Sequence, residues 1–376
     1  MSHLKLLVAP ASFLLSTAAF MVAIQQPPRQ RLGYAPIVFG CSIWSLHACS
    51  YFAWASGVDS LWGLLNCYWM LHAMNTLYLA PVIIPPECPS WKSAYRIWAD
   101  PQRRVDLKKP PPPPSNRAWF AIRRISKALL CWFLHLSLIA PIIMIYFDFT
   151  PEDFAPSRQV LLRRLLFPNS GPPFTVREIQ IRSTWSLYWV WNVYLMLDTC
   201  HVLLSIIFVA MLRLDAPQEW PSLFGSPTQA YSLRRFWGRF WHRITVPFSL
   251  NSGRLITRRW LRISTGSRLE KVAVALWTFF LSAVAHSLTD WFSGAPCNPL
   301  SELQFYLVNF AAAAFESLAV PYVDRALVRS GNTRLRRILW SSPVRIIGGF
   351  SWVFCVFFWV APKVQYSKLL DLVEDT

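Results

Sequence analysis

The chain has 376 residues, 54% of them hydrophobic, and a mean hydropathy of +0.32. That excludes an ordinary soluble globular fold and predicts an all-α, polytopic membrane protein, read as one membrane-embedded domain over residues 1–376. The formal charge of +18 fits nucleic acid, anionic lipid or an anionic co-substrate, but no soluble stretch is long enough to fold into a nucleic-acid-binding module.

A membrane-spanning helix needs roughly 20 mostly apolar residues. Eight segments qualify: Leu4–Ile24, Tyr34–Ala55, Leu61–Ile84, Ala128–Phe147, Trp185–Met211, Val272–Phe292, Leu303–Val323 and Val344–Ala361. The first carries a single Lys and an apolar run nearer to spanning length than to a signal peptide, so it reads as an uncleaved helix. The fifth is long enough to tilt or break.

The connections after the odd-numbered helices are basic. They hold Arg29 and Arg31, then Lys92, Arg96, Arg103, Arg104, Lys108, Lys109, Arg117, Arg123 and Arg124, then Arg254, Arg258, Arg259, Arg262 and Arg268, then Arg325, Arg329, Arg334, Arg336 and Arg337. The connections after helices two and six have no Lys or Arg. By the positive-inside rule the basic loops are cytosolic and both termini lumenal. Lys108–Ser115, KKPPPPPS, reads as a stiff exposed linker. Ser157–Phe167, SRQVLLRRLLF, reads as an amphipathic helix lying in the membrane interface. The eight cysteines form no CxxC and read as small buried side chains, with no disulfide framework and no metal site.

The stretch Ser232–Leu250, within a basic cytosolic loop spanning 213–271, packs Phe236, Trp237, Phe240 and Trp241 among Arg234, Arg235, Arg239 and Arg243 and ends its aromatic run on His242. Ionisable groups at bilayer depth need a partner or a cavity. Helix five has Asp198 and His201 at i,i+3, on one face; they are either a mutually satisfied pair or the lining of a polar cavity. Helix six has Ser282, His286 and Asp290 on one face, a stripe that packing alone explains less easily. His47, His72 and His135 stand singly and read as structural. No HxxxH, HExxH, Walker A, GxGxxG or GxSxG pattern occurs.

Arg234–His242, RRFWGRFWH, followed by a His within the next apolar helix, resembles the wax synthase-like branch of the membrane-bound O-acyltransferase superfamily. It is most similar to fungal members that acetylate terpenoid and meroterpenoid alcohols. That branch carries an F-W-x-x-x-W-H element ahead of an intramembrane His. The sequence departs from the family pattern in the small residues before His286, S-A-V-A-H, and in Arg243. The resemblance implies a helical bundle enclosing a tunnel, acyl-CoA as co-substrate with no bound cofactor, and a hydrophobic alcohol as acceptor.

The resemblance also implies a catalytic residue, and the residues around it suggest the rest of the site. His286 is the general base, since a neutral imidazole with a pKa of about 6.5 can take the hydroxyl proton at cytosolic pH. His242 is the supporting group, orienting substrate or stabilising the oxyanion. Arg234, Arg235 and Arg239 clamp the phosphates of acetyl-CoA, and Trp237 and Trp241 frame the thioester path or anchor at the headgroups. Asp198, His201 and Asp290 line the substrate cavity, and Asp290 also stands where it can fix the tautomer of His286. The residues leave acyl-chain length open, so a long-chain wax ester synthase is the alternative within the class. A transporter with a polar path through Asp198, His201, His286 and Asp290 is the alternative outside it, although no internal repeat supports one. Uncleaved insertion with no other address favours the endoplasmic reticulum.

Overall fold

A computed structural model describes residues 3–54, 57–85, 90–100, 116–294 and 300–374. Among the described residues every regular element is helical. The longer helices, in chain order, are α1 (His3–Ala23), α2 (Ala35–His47), α3 (Val58–Met74), α4 (Ser90–Ala99), α5 (Arg117–Leu134), α6 (Ala140–Phe147), α7 (Val176–Ser205), α8 (Val246–Leu255), α9 (Arg268–Ser293), α10 (Leu300–Arg329), α11 (Thr333–Leu339) and α12 (Ser342–Glu374). Wide π turns continue several of them: Asn75–Leu79 after α3, His135–Ile139 between α5 and α6, Ile206–Met211 after α7 and Ile256–Trp260 after α8.

Seven stretches are long and apolar enough to cross a bilayer: Lys5–Ala23, Arg31–Phe52, Arg117–Phe147, Val176–Met211, Arg268–Ser293, Leu300–Arg329 and Ser342–Asp371. They coincide with seven of the eight expected spans. The third, Leu61–Ile84, differs. There α3 stops at Met74 and runs on only as a π turn to Leu79. Pro81 follows, and Asn66, His72 and Asn75 are buried against neighbouring helices rather than facing lipid. The fourth span begins at Arg117 instead of Ala128, because the Asn116 side chain accepts the Trp119 N–H (2.9 Å) and caps the helix there. Arg117, Arg123 and Arg124 therefore belong to the helix and not to the basic loop. The proline-rich Lys108–Ser115 lies outside the described residues.

The chain forms two compact units: Met1–Pro110 with Ile244–Phe310, and Pro111–Arg243 with Ala311–Thr376. In the first unit, small hydroxyl residues bring helices together. Ser16 on α1 donates to the Val38 carbonyl (2.7 Å) and lies 2.8 Å from the Ser42 hydroxyl on α2. Trp69 on α3 donates its indole N–H to the same Ser16 oxygen (2.8 Å). Phe20, Ala23, Ile24, Val38, Ala73 and Leu77 pack around this seam. Arg31, which the sequence places in a basic loop, is instead 1% exposed. Its guanidinium donates to the carbonyls of Ile24 and Gln26, just past the end of α1, and of Val82. A cation at a helix C-terminus meets unpaired carbonyls and the negative end of the dipole. Helix α9 enters this unit through close contacts. The Thr289 side chain fills the space beside Gly63, and Trp277 donates to Ser252 of α8 (2.8 Å).

In the second unit, Phe147, Phe154, Ile181 and Tyr366 form a buried core where α6, α7 and α12 meet. Beside it three arginines converge on one carboxylate. Glu178 accepts from Arg158 (3.1 Å), Arg164 (2.7 and 2.9 Å) and Arg182 (3.1 Å). Thr175 caps α7 by accepting the Glu178 N–H (3.1 Å). This alters the reading of Ser157–Phe167. It is two short helices, Pro156–Gln159 and Leu161–Leu166, broken at Val160. Arg164 turns inward, 3% exposed, rather than outward to an interface. Nearby, Asp153 accepts two hydrogen bonds from Arg177 (2.9 and 2.6 Å). Burial pushes the Asp153 carboxyl up, but hydrogen bonds from Arg177 and the Thr150 N–H outweigh it and hold the group below the usual carboxylate range.

Candidate active site

The aromatic run of the second unit begins with a cap. Ser232 accepts the Arg235 N–H (3.3 Å), and the Leu233 N–H donates to Glu316 of α10 (2.8 Å). Phe236–Phe240 then form a π turn, closed by the Trp241 N–H donating to the Phe236 carbonyl (2.7 Å). The turn folds Trp241 back onto Phe236, with centroids 5.3 Å apart and rings 23° from parallel. Trp241 also stacks on Trp189 of α7 at 5.4 Å and 10°. Phe357 of α12 touches both Phe236 (4.8 Å) and Trp189 (5.5 Å). Trp241 is therefore a buried support, 7% exposed. The next residue, His242, is half-buried and held edge-on by Phe224 at 5.8 Å.

The segment carrying Phe224 is tied to the turn at Gly225. The Gly225 N–H donates to the Phe240 carbonyl (2.8 Å), and a Cβ at Gly225 would lie 2.1 Å from the Arg239 carbonyl oxygen. Because that neighbour is backbone, no side chain can move aside. Gly225→Ala is expected to destabilise the protein by about 1–3 kcal/mol and to displace Phe224 from His242. A lowered thermal midpoint of the solubilised variant is the check, and an unchanged midpoint would contradict the geometry.

The motif arginines divide. Arg234 and Arg239 are exposed, and Arg239 reaches Gln229 at 3.4 Å. Arg235 is half-buried, hydrogen-bonded to Gln229 and placed over the Tyr231 ring (4.3 Å). Trp237 is half-buried, 5.6 Å from Trp241.

Asp198 and His201 share a helix face but do not pair as the alternative reading had it. Asp198, 4% exposed, accepts from Lys127 of α5 (2.8 Å). The His201 ring lies against Trp220 at 5.3 Å.

In the first unit, His286 and Asp290 lie on one face of α9. Ser282 of the same stripe donates back to the Thr278 carbonyl (3.1 Å), so its hydroxyl proton is spent within the helix. His286 is half-buried and Asp290 is 6% exposed. The His286 ring rests against Tyr306 of α10, with centroids 5.1 Å apart and an angle of 39°. Glu302, Tyr306 and Asn309, one face of α10 by their i, i+4, i+7 spacing, are 6%, 7% and 0% exposed. Sequence reading missed these three. The polar stripe in SELQFYLVNF was the available signal, obscured by the apolar residues between its members. Among the described residues no three His, Cys, Asp or Glu side chains gather as a metal ion would require. The single histidines sit in packing contacts: His47 on Phe292, His72 on Trp69 and His135 on Tyr188.

Comparison with known proteins fits this geometry. Residues 220–308 match the model of the membrane bound O-acyl transferase family. The match takes in both Arg234–His242 and His286, so the resemblance read from those residues is borne out. The acetyltransferase aurG of Calcarisporium arbuscula is 30% identical over 194 residues, 51% of this chain and 44% of aurG. The acetyltransferase TRI7 of Fusarium sporotrichioides is 37% identical over 186 residues, 48% of this chain and 40% of TRI7. The acetyltransferase atnC of an Arthrinium species is 42% identical over 96 residues, 25% of this chain and 22% of atnC. The chain thus spans less than half the length of each of these relatives. No solved structure matches it.

Proposed function

We propose that this chain is a membrane-bound O-acetyltransferase that moves acetyl from acetyl-CoA to a hydroxyl of a hydrophobic polycyclic alcohol of the terpenoid or meroterpenoid kind, in the endoplasmic reticulum membrane. The observation that carries the reading is the match of residues 220–308 to the O-acyltransferase family, in company with relatives named as acetyltransferases.

In this reading the His286 imidazole takes the proton of the acceptor hydroxyl as its oxygen attacks the thioester carbonyl. The tetrahedral oxyanion collapses, the C–S bond breaks, and the imidazolium returns the proton to the departing thiolate of CoA. His242 supports the reaction by orienting substrate or donating to the oxyanion, a role worth about 3–4 kcal/mol where a donor is well placed. Its support by Phe224 and the buried Trp241 suits a group that must not wander. Exposed Arg234 and Arg239 are available to the phosphates of CoA. Arg235, bound to Gln229 and Tyr231, shapes the turn that presents them. Trp237 lines the thioester path, and Trp241 holds the stack behind it. Asp198 lines the substrate cavity with its buried carboxylate held by the half-exposed Lys127.

The test is ester formation by microsomes expressing the full chain, supplied with labelled acetyl-CoA or palmitoyl-CoA and a panel of terpenoid and fatty alcohols. Acetyl ester on a polycyclic alcohol is expected. Ester from palmitoyl-CoA and fatty alcohol alone would replace the proposal with wax ester synthesis. Polar solute uptake without any ester would replace it with transport.

A further inference from the structure

Two ring contacts fix how α9 and α10 lie within the first unit. Phe279 meets Phe310 at 6.0 Å, and His286 meets Tyr306 at 5.1 Å. Moving forward along α9 moves backward along α10, so the helices run antiparallel. One further helical step of four residues on each brings Asp290 level with Glu302. Both carboxyls are buried and both lie within electrostatic reach of the Tyr306 phenol. The imidazole of His286 thus has Asp290 one turn along its own helix, and across from it a polar row of Glu302, Tyr306 and Asn309. Only Tyr306 in that row contributes a ring against the imidazole face.

We infer that Tyr306 is the positioning residue for His286, its buried ring holding the imidazole at the angle from which it meets the acceptor hydroxyl. The inference rests on the reading of His286 as the general base. An imidazole on a helix can turn about two side-chain bonds, and only a narrow range brings a ring nitrogen within hydrogen-bond reach of a substrate O–H. A ring packed against it at 39° narrows that freedom. Misplacing a reacting group by about 1 Å can lower a rate ~10²-fold.

The experiment compares Tyr306→Phe, Tyr306→Leu, His286→Ala and the unaltered chain in microsomes. Turnover is expressed per folded molecule, counted by size-exclusion of a fluorescent fusion, with KM for the acceptor measured in parallel. Tyr306→Leu is expected to lose ~10- to 100-fold in kcat with little change in KM, and Tyr306→Phe to stay within about threefold of the unaltered chain, since it keeps the ring. Leucine at the original kcat per folded molecule would overturn the inference while leaving His286 as base. Phenylalanine as poor as leucine would also overturn it, by assigning the role to the hydroxyl instead of the ring. Activity that survives His286→Ala would overturn the general-base reading and this inference together.

Discussion

Replacing His286 by alanine is expected to abolish ester formation while the protein still inserts and folds. General base catalysis contributes typically about 10²- to 10⁴-fold, and the uncatalysed background is low, so turnover should fall by at least about 10²-fold. The fold should survive. His286 is half-buried, and its ring contact with Tyr306 is one of several along α9, which also packs through Thr289 on Gly63 and through Trp277 on Ser252. His286→Gln should be equally inactive, because the amide keeps polarity and much of the size but cannot accept and return a proton near neutral pH. Full activity in either variant, at matched expression, would remove His286 from the chemistry. His242→Ala should behave differently. On the proposed reading it loses only a supporting group, and its deficit should be the smaller of the two.

The largest stability effect is expected at Glu178. Its carboxylate is 2% exposed and is the common partner of Arg158, Arg164 and Arg182, of which Arg164 and Arg182 are themselves buried. Carbonyls of Pro172, Pro173 and Phe358 take up other guanidinium protons, but no carbonyl offers a full negative charge. Glu178→Gln keeps the shape and strips the charge, leaving buried cations side by side. Breaking a buried pair by removing one partner typically destabilises by about 3–5 kcal/mol. The position adds to the effect, since Glu178 lies in the first turn of α7, where a negative charge also favours the helix dipole. A marked drop in the thermal midpoint of the detergent-solubilised variant is expected. An unchanged midpoint would mean that the arginines are satisfied without it.

How much of this was legible in the residues depends on whether the relevant partner is local. The apolar runs specify their helices directly, and the Ser282–His286–Asp290 stripe is visible from periodicity alone, because both features lie within a few turns of chain. Asp198 shows the limit. Its i,i+3 neighbour His201 is obvious in sequence, while the partner it takes, Lys127, lies on another helix, and nothing local distinguishes that lysine from the basic residues before it. Arg31 and Arg164 look like surface charge for the same reason. Arg31 reaches across to the Val82 carbonyl and Arg164 to the Glu178 carboxylate, contacts fixed only by tertiary packing. Leu61–Ile84 stands apart from the other seven because Asn66, His72 and Asn75, which are buried, make it less apolar than they are, although its helix runs on from Val58 to Leu79. Tyr306 escaped notice because a tyrosine in an apolar helix carries no signal until the helix opposite is known.

The π turn at Phe236–Phe240 makes the intervals within the aromatic element matter as much as its side chains. In an α-helix each residue advances the chain by about 100° and 1.5 Å. A turn closed five residues back instead of four holds one residue more than that count allows, and this surplus residue brings Trp241 round onto Phe236. The element therefore works as a clock face as much as a set of side chains. With Gly238 deleted, all four aromatics and the histidine would remain in order, yet everything after the gap would be turned by about 100°. Trp241 would leave its stacks with Phe236 and Trp189, and His242 would face another hour.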